Sequence, residues 1–200
     1  MSNVVIVNAK RSAIGKFLGS LSGLSSVDIG SSVLNSLIES SKIQKSGVDE
    51  VIMGQVLTGG HGQNPARQTM MLSGIPYEKS AVTINQVCGS GLRAIAMGTQ
   101  SILSGQSEIV IAGGQESMSN SHHTANMRNG IKMGDGSLKD SMIVDGLWCA
   151  MNDYHMGTTA ENIAEKYKIS KEEQDLFSVA SQNKAENAQK EGYFKNEICP

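Results

Sequence analysis

Hydrophobic and polar positions follow two regimes along this chain. Asn3 to Asn8, NVVIVN, is a short β-branched run of the kind that forms a strand buried on both faces, and a central place in a sheet is expected for it. Ser25 to Ser40 shifts to helical spacing: Val27, Val33, Leu34, Leu37 and Ile38 make one stripe, entered through serines able to cap it. Glu50 to Leu57, EVIMGQVL, reads as the next strand, and GGHGQNPARQTMMLSG as a glycine-rich loop running into a helix that ends near Gly74. The unit then repeats. AVTINQV is a strand by its alternation around Val82 and Ile84, a helix follows from about Cys88 to Ser104 with a stop at Gly105, and SEIVIAGG supplies a further buried strand over Ser107 to Gly114. Strands and helices alternating in this way predict an α/β protein, its mostly parallel sheet covered by helices on both faces.

Beyond Gly114 the regularity lapses. The stretch from Gly113 to Met142 is polar, rich in Ser, Asn, Gly and Met, and without sustained period, so it reads as an excursion from the core. Two helices follow, announced by the capping boxes Thr158-Thr159-Ala160-Glu161 and Ser170-Lys171-Glu172-Glu173, the second running to Gly192. YFKNEICP at the end reads as the approach to another strand.

Composition narrows the function classes. Lysine and arginine number 17 against 19 acidic residues, and neither sign gathers in a run of about five, so no electrostatic case arises for nucleic acid or a membrane surface as partner. Apolar runs such as IVIAG fall far short of the ~20 residues of a bilayer span, and the N-terminus shows no secretory signal, so a cytoplasmic address is the default expectation. The three cysteines, Cys88, Cys149 and Cys199, are odd in number and lack CxxC spacing, which argues against a disulfide framework or zinc site. His122 and His123 are adjacent without acidic or cysteine partners nearby in sequence, and read as loop residues rather than metal ligands.

Cys88 is the candidate nucleophile. The apolar positions Leu92, Ile95, Ala96, Ile102 and Leu103 place it at the first turn of a helix that packs on the sheet. There the unpaired N–H groups and the positive end of the helix dipole favour a thiolate. Gly89 and Gly91 would permit a strained turn and leave room for an acyl group, in the manner of a nucleophile elbow whose N–H groups can also serve an oxyanion. The alternative is a small core hydrophobe at a strand end, a common place for free cysteine. No histidine falls at a position that local pattern ties to Cys88 as its base.

NQVCGSGLRAI resembles the nucleophile segment of the thiolases, and KRSAIGKFLGSL, GQNPARQ, AGGQESMS and YHMGTTAEN fit the same family in the same order. The last motif is most similar to the biosynthetic, short-chain branch. The resemblance implies a thiolase-like fold, with an N-terminal α/β domain over residues 1–117 and a loop domain over 118–200. It implies Cys88 as carrier of an acyl thioester, in the condensation of two acetyl-CoA to acetoacetyl-CoA plus CoA or the reverse thiolysis. His155 and Met156, with Leu147, match positions lining the pantetheine end and the small acyl pocket. Glu116, Arg67 and Asn64 read as structural, and Cys149 is assigned no role. Coenzyme A enters as substrate and product; no cofactor and no metal are implied, and the intact family forms homodimers or homotetramers.

Thiolases also carry a second half, resembling the first, with an Asn-Glu-Ala-Phe segment, a Gly-His-Pro histidine that activates the nucleophile, and a second cysteine that moves the α-proton. None of these occurs among these 200 residues, so an incomplete sheet with an unpaired edge and impaired activity are expected. Two alternatives stand beside the short-chain reading: a 3-ketoacyl-CoA thiolase of fatty-acid degradation, and a non-catalytic thiolase remnant.

Overall fold

The computed structural model describes residues 3–199. They form two compact units, one reaching Gly146 and including Cys199, the other Leu147–Ile198. The first is built on three parallel strands in the order β2-β1-β3: β1 Glu50–Gly54 at the centre, β2 Ser80–Ile84, and β3 Val110–Gly114. In register, Ile52 stands opposite Val82 on one side and Ala112 on the other.

The alternation of side chains along β1 assigns the faces. Val51 and Met53 point into a core made with Leu34 and Ile38 of α1 (Ser26–Ser41) and Ala66 and Met70 of α2 (Pro65–Leu72). Gly54 points the other way, against the start of α3 (Ser90–Leu103), whose Gly98 lies over Val110 and Ala112. Helices therefore cover both faces, as the strand–helix alternation predicts. Helix α1 starts where the serines suggest: Ser25 Oγ accepts from Asp28 N–H at 3.1 Å, and Asp28 Oδ2 accepts from Ser25 N–H at 3.0 Å, a reciprocal capping box. Gly74 and Gly105, at φ 74° and 75°, close the ends of α2 and α3.

A buried chain of hydrogen bonds braces the layers. Thr69 Oγ1 of α2 donates to Gln115 Oε1 at 2.7 Å, Gln115 Nε2 donates to Gln55 Oε1 at 3.0 Å, and Gln55 Nε2 donates to Leu57 O at 3.0 Å. Gly30 of α1 is part of this fit, because a Cβ there would stand 2.2 Å from Gln115 Oε1.

The N-terminal run departs from its expected place. No residue from Asn3 to Lys10 lies in a strand, and Val5, Ile6 and Val7 are 69%, 77% and 73% exposed. The pattern of a buried strand is present, but a strand needs a neighbour, and a cavity of about 390 Å³ lies between Val4–Lys10 and the outer edge of β3. Asn8 anchors the run to the end of α1, its Nδ2 donating to Ser40 Oγ and Ser41 Oγ at 2.8 and 2.9 Å. The strands that do form are shorter than the apolar runs: β1 ends at Gly54, three residues before Leu57, and β3 starts at Val110.

The polar excursion contains a short antiparallel pair, β4 His123–Thr124 with β5 Lys139–Asp140, and then a π-helical turn, Met142–Leu147. In the second unit, β6 Trp148–Cys149 and β7 Tyr154–His155 form a hairpin that leads into α4 Met156–Tyr167 and α5 Lys171–Lys190. Ser170 and Glu173 cap α5 reciprocally, as read from the sequence. The box expected at Thr158 does not operate: α4 already begins at Met156, because His155 Nδ1 accepts from Gly157 N–H at 2.9 Å and caps the helix earlier. Among the described residues, no helix is long and apolar enough to cross a membrane, and no cluster of three His, Cys, Asp or Glu side chains could hold a metal ion.

Candidate active site

Cys88 stands exposed on the turn between β2 and α3. It lies one residue outside the helix cap: Gly89 is the N-cap and α3 begins at Ser90, so the first-turn placement expected from spacing is corrected by two residues. The turn is strained, and the strain sits on a valine instead of a glycine. Val87 has φ 49°, in the left-handed region, which costs a β-branched residue about 1–2 kcal/mol. Gly89 has φ −85°, and a Cβ there or at Gly91 would make only ordinary contacts, nearest at 3.4 Å and 4.0 Å, so neither glycine is demanded by packing.

What holds the turn is Ser90, which is 4% exposed. Its Oγ accepts from Gln86 N–H at 2.8 Å and donates to Val87 O at 2.6 Å, closing a clamp over the residue before Cys88. Asn85 Oδ1 adds an acceptor for Val87 N–H at 2.8 Å. Gly89 and Ser90 spend their N–H groups inside the turn, on Gln86 O and Val87 O, both at 3.1 Å. The oxyanion role expected for Gly89 therefore has no free N–H behind it in this geometry. Neither Val87 nor Ser90 was marked by the periodicity. The available signal was a serine two positions after the cysteine, a residue type that readily bonds nearby backbone.

The elbow is seated by the strand ends beneath it. A Cβ on Gly54 would lie 2.6 Å from Ser90 Cβ and 2.8 Å from Gly91 N, so the start of α3 rests directly on the end of β1. Asn64 caps α2 and binds it to β2, the strand leading to Cys88: its Oδ1 accepts from Arg67 N–H and Thr83 Oγ1, and its Nδ2 donates to Ala81 O. The Arg67 guanidinium donates to the carbonyls of Tyr77 and Lys79. Glu116 accepts from Val56 N–H at 2.8 Å and Leu57 N–H at 3.3 Å, fixing the chain just past β1. Burial raises the pKa of this carboxyl, and the two N–H donors only partly offset it.

One more contact lies past the strand ends. His122 donates Nδ1–H to Gly59 O at 2.8 Å, and its ring stands 5.0 Å from that of His61, joining the glycine-rich loop to the excursion. Burial, and then the neighbouring His122, lower the pKa of His61.

The remaining expected site residues belong to the second unit. Leu147 is half-buried, Met156 is 42% exposed, and His155 is exposed with Nδ1 committed to the α4 cap. A neutral His155 then carries its proton on Nε2, which is left as a directed donor. In the hairpin, Asn152 Nδ2 donates to Cys149 Sγ at 3.2 Å. That bond first, and the Asn152 backbone N–H second, lower the Cys149 thiol pKa from its ordinary value of 9.0.

Set against known proteins, residues 4–200 match the family described as thiolase, N-terminal domain. The chain is 58% identical over 199 residues to the acetyl-CoA acetyltransferase of Allochromatium vinosum, covering 99% of this chain and 50% of that protein. It is 56% identical over 200 residues to the acetyl-CoA acetyltransferase of Paracoccus denitrificans, covering 51% of it, and 53% identical over 201 residues to that of Cupriavidus necator, again covering 51%. The chain thus spans about half the length of these relatives. An exposed cysteine on a clamped strand-to-helix turn, in a sequence matched to that family from Val4 onward, leads to one assignment: this chain belongs to the thiolase family, through its N-terminal domain.

Proposed function

We propose that Cys88 is the acyl-carrying nucleophile of a short-chain thiolase, in which the described half supplies the thioester-forming group. The Cys88 sulfur attacks the carbonyl of acetyl-CoA, the C–S bond to CoA breaks, and CoA leaves as its thiol while an acetyl thioester forms on the enzyme. A second acetyl-CoA, stripped of an α-proton, then attacks that thioester; a C–C bond forms, the Cys88 sulfur is released, and acetoacetyl-CoA departs. Thiolysis is the reverse. A thioester keeps the acyl group activated between the steps, which an oxygen ester would not.

The observation that carries this reading is the exposed Cys88 on a turn that the fold strains and clamps, at the position where the sequence matches the family's nucleophile segment. His155, through Nε2–H, and Met156 with Leu147 are assigned to the pantetheine end and acyl pocket. The relatives, acetyl-CoA acetyltransferases, favour the acetyl-specific branch. The acid–base groups for the α-proton are expected from a second half like that of the relatives, and each would be worth ~10²–10⁴-fold in rate.

Acetyl-CoA exposure followed by peptide mass mapping tests the first step alone. An acetyl group recovered on Cys88, and lost in Cys88→Ala, is the expected outcome; acetylation at Cys149 with Cys88 unmodified would overturn the assignment. Thiolysis of acetoacetyl-CoA, measured with a relative's second half supplied, tests the complete cycle.

A further inference from the structure

Two histidines outside the candidate active site meet across a seam. His61 belongs to the glycine-rich loop that precedes α2, and His122 stands in the polar excursion, directly before β4. The His122 ring lies against the backbone of Gly60: a Cβ there would stand 2.6 Å from His122 Nδ1, and Gly60, at φ 79°, holds a left-handed conformation open to glycine. A carbonyl only accepts, so the 2.8 Å bond to Gly59 O fixes the proton of neutral His122 on Nδ1 and leaves Nε2 to take a second one. His61 is half-buried, and among the described residues neither of its ring nitrogens is hydrogen-bonded. Its main chain is held instead: Thr58 O accepts from its N–H at 3.2 Å, and Gln68 Nε2 donates to its carbonyl at 2.9 Å.

This seam is the last hydrogen-bonded hold on the excursion from outside it. Before the seam, Asn120 Nδ2 donates to Ser22 O and Leu24 O at 2.9 and 2.8 Å and anchors the chain. Beyond it, residues 124–138 make no side-chain hydrogen bond among the described residues. The chain is next fixed at buried Ser141, whose N–H donates to His122 O at 3.2 Å.

The charged groups near the pair are engaged elsewhere. On α2, Gln68 is neutral and the Arg67 guanidinium donates to the Tyr77 and Lys79 carbonyls. In the excursion, His123 stands opposite Asp140 and Thr124 opposite Lys139 in the β4–β5 register, and Asp140 Oδ1 accepts from Met142 N–H at 2.9 Å. Burial first, and then His122, lower the pKa of His61, and among the described residues no carboxylate offsets them.

We propose that the contact is a pH-operated latch: closed while at most one of the two rings is charged, it opens when both bind a proton, releasing the excursion between Asn120 and Ser141 from the glycine-rich loop. Two cations with ring centroids 5.0 Å apart repel, and leaving the half-buried position returns His61 to water. A proton on His122 Nε2 alone leaves the Nδ1–H bond to Gly59 O intact, so a single charge does not open the latch. The sign of the effect follows. His61 is held below its ordinary 6.5 in the closed form, so closure is favoured above 6.5 and is lost as pH falls through the closed-form value. This inference is independent of the chemistry at Cys88.

The test is an NMR titration of this chain from about pH 8 to about pH 5, the range in which histidine changes charge. The ring signals of His61 and His122 are expected to titrate as a coupled pair, in two steps shared between them. The amides of Gly59, Gly60, Thr124 and Lys139 shift with the more acid step. Across that step, amide hydrogen exchange in β4 and β5, corrected for its intrinsic pH dependence, quickens by at least about tenfold, while β1 keeps its protection. His61→Asn leaves one charge at the seam, so β4 and β5 keep their neutral-pH protection throughout. His123→Gln removes a histidine outside the pair and leaves the transition as in the parent. Independent single-step titration of the two rings, equal protection of β4 and β5 at both ends of the range, an opening that survives in His61→Asn, or one that disappears in His123→Gln would each overturn the latch. The coupled titration and exchange of the parent chain decide the matter should His61→Asn fail to fold.

Discussion

Ser90 and Val87 set the conditions at Cys88 without touching substrate. Ser90→Ala removes both clamp bonds and is expected to lower unfolding stability by about 1–2 kcal/mol, with Ser90→Thr, which keeps a hydroxyl, closer to the parent. Val87→Gly should run against the usual trend: relief of the left-handed backbone offsets the lost side chain, so the variant is at least as stable as the parent in urea titration. Two titrating groups give opposite pH signatures. The pKa of Glu116 is raised above its ordinary 4.5, so its contribution to stability is fully present below 4.5 and lost as pH rises through the folded value; Glu116→Gln removes that loss. The pKa of His61 is depressed below its ordinary 6.5, so its contribution is present above 6.5 and lost as pH falls through the folded value; His61→Asn flattens that acid limb. Urea midpoints measured across pH 4–8 for the parent and both variants separate the two, and a parent slope retained in either variant would contradict the assignment.

At the scale of elements, the junction between the end of β1 and the start of α3 leaves no room for a methyl group. Gly54→Ala would drive a Cβ to 2.6 Å from Ser90 Cβ and 2.7 Å from Ser90 C, both atoms of the buried residue that clamps the turn. It is expected to cost about 1–3 kcal/mol in unfolding free energy and to slow acetylation of Cys88, read by the mass-mapping assay. Equal acetylation would mean that the elbow keeps its shape without this seat. Sequence made some of these elements readable and hid others for physical reasons. Helices α1 and α5 carry their own start signals in Ser25–Asp28 and Ser170–Glu173, local contacts that need nothing from the rest of the chain. The order of α2, β2, α3 and β3 follows from periodicity and terminating glycines. Asn3–Asn8 departs from its pattern because that pattern reports burial on both faces, a property that neighbours confer, and among the described residues no strand pairs with it. The α4 start was missed because a histidine side chain, not a threonine, does the capping. At the site, Cys88 was legible from its place at a glycine-flanked strand–helix junction. Its clamp was not, because the bonds among Gln86, Val87 and Ser90 depend on a left-handed valine that no periodicity marks.

Across the molecule, burial is distributed unevenly. The core of Val48, Val51, Ile52, Met70 and Ile75, each no more than 2% exposed, lies in the first unit. In the second, α4 and α5 contain no buried residue, and Leu176, Phe177 and Val179 of α5 are 63%, 77% and 58% exposed. A helix of 20 residues without tertiary burial is marginal in water, held mainly by its cap and by surface pairs such as Lys190–Glu186, which contribute little. Hydrogen exchange should therefore show α5 amides opening at rates near those of an isolated helix, while the amides joining β1 to its neighbours open only with the whole unit. Protection of α5 equal to that of β1 would show that its apolar side is covered.

The amide chain Thr69–Gln115–Gln55–Leu57 runs in one direction: a hydroxyl begins it, each side-chain carboxamide receives on oxygen and passes on through nitrogen, and a main-chain carbonyl ends it. Such a line has polarity, and it cannot be reversed at one member alone. Hydrolysis of the Gln115 carboxamide to a carboxylate would put two acceptor oxygens face to face at Gln55, and turning Gln55 to suit would strip Leu57 O of its donor. Exchange of a single nitrogen for oxygen, leaving volume and shape almost untouched, would thus propagate from α2 to the loop beyond β1. The brace makes the first unit depend on the chemical integrity of one buried glutamine, a dependence that no solvent-facing amide would share.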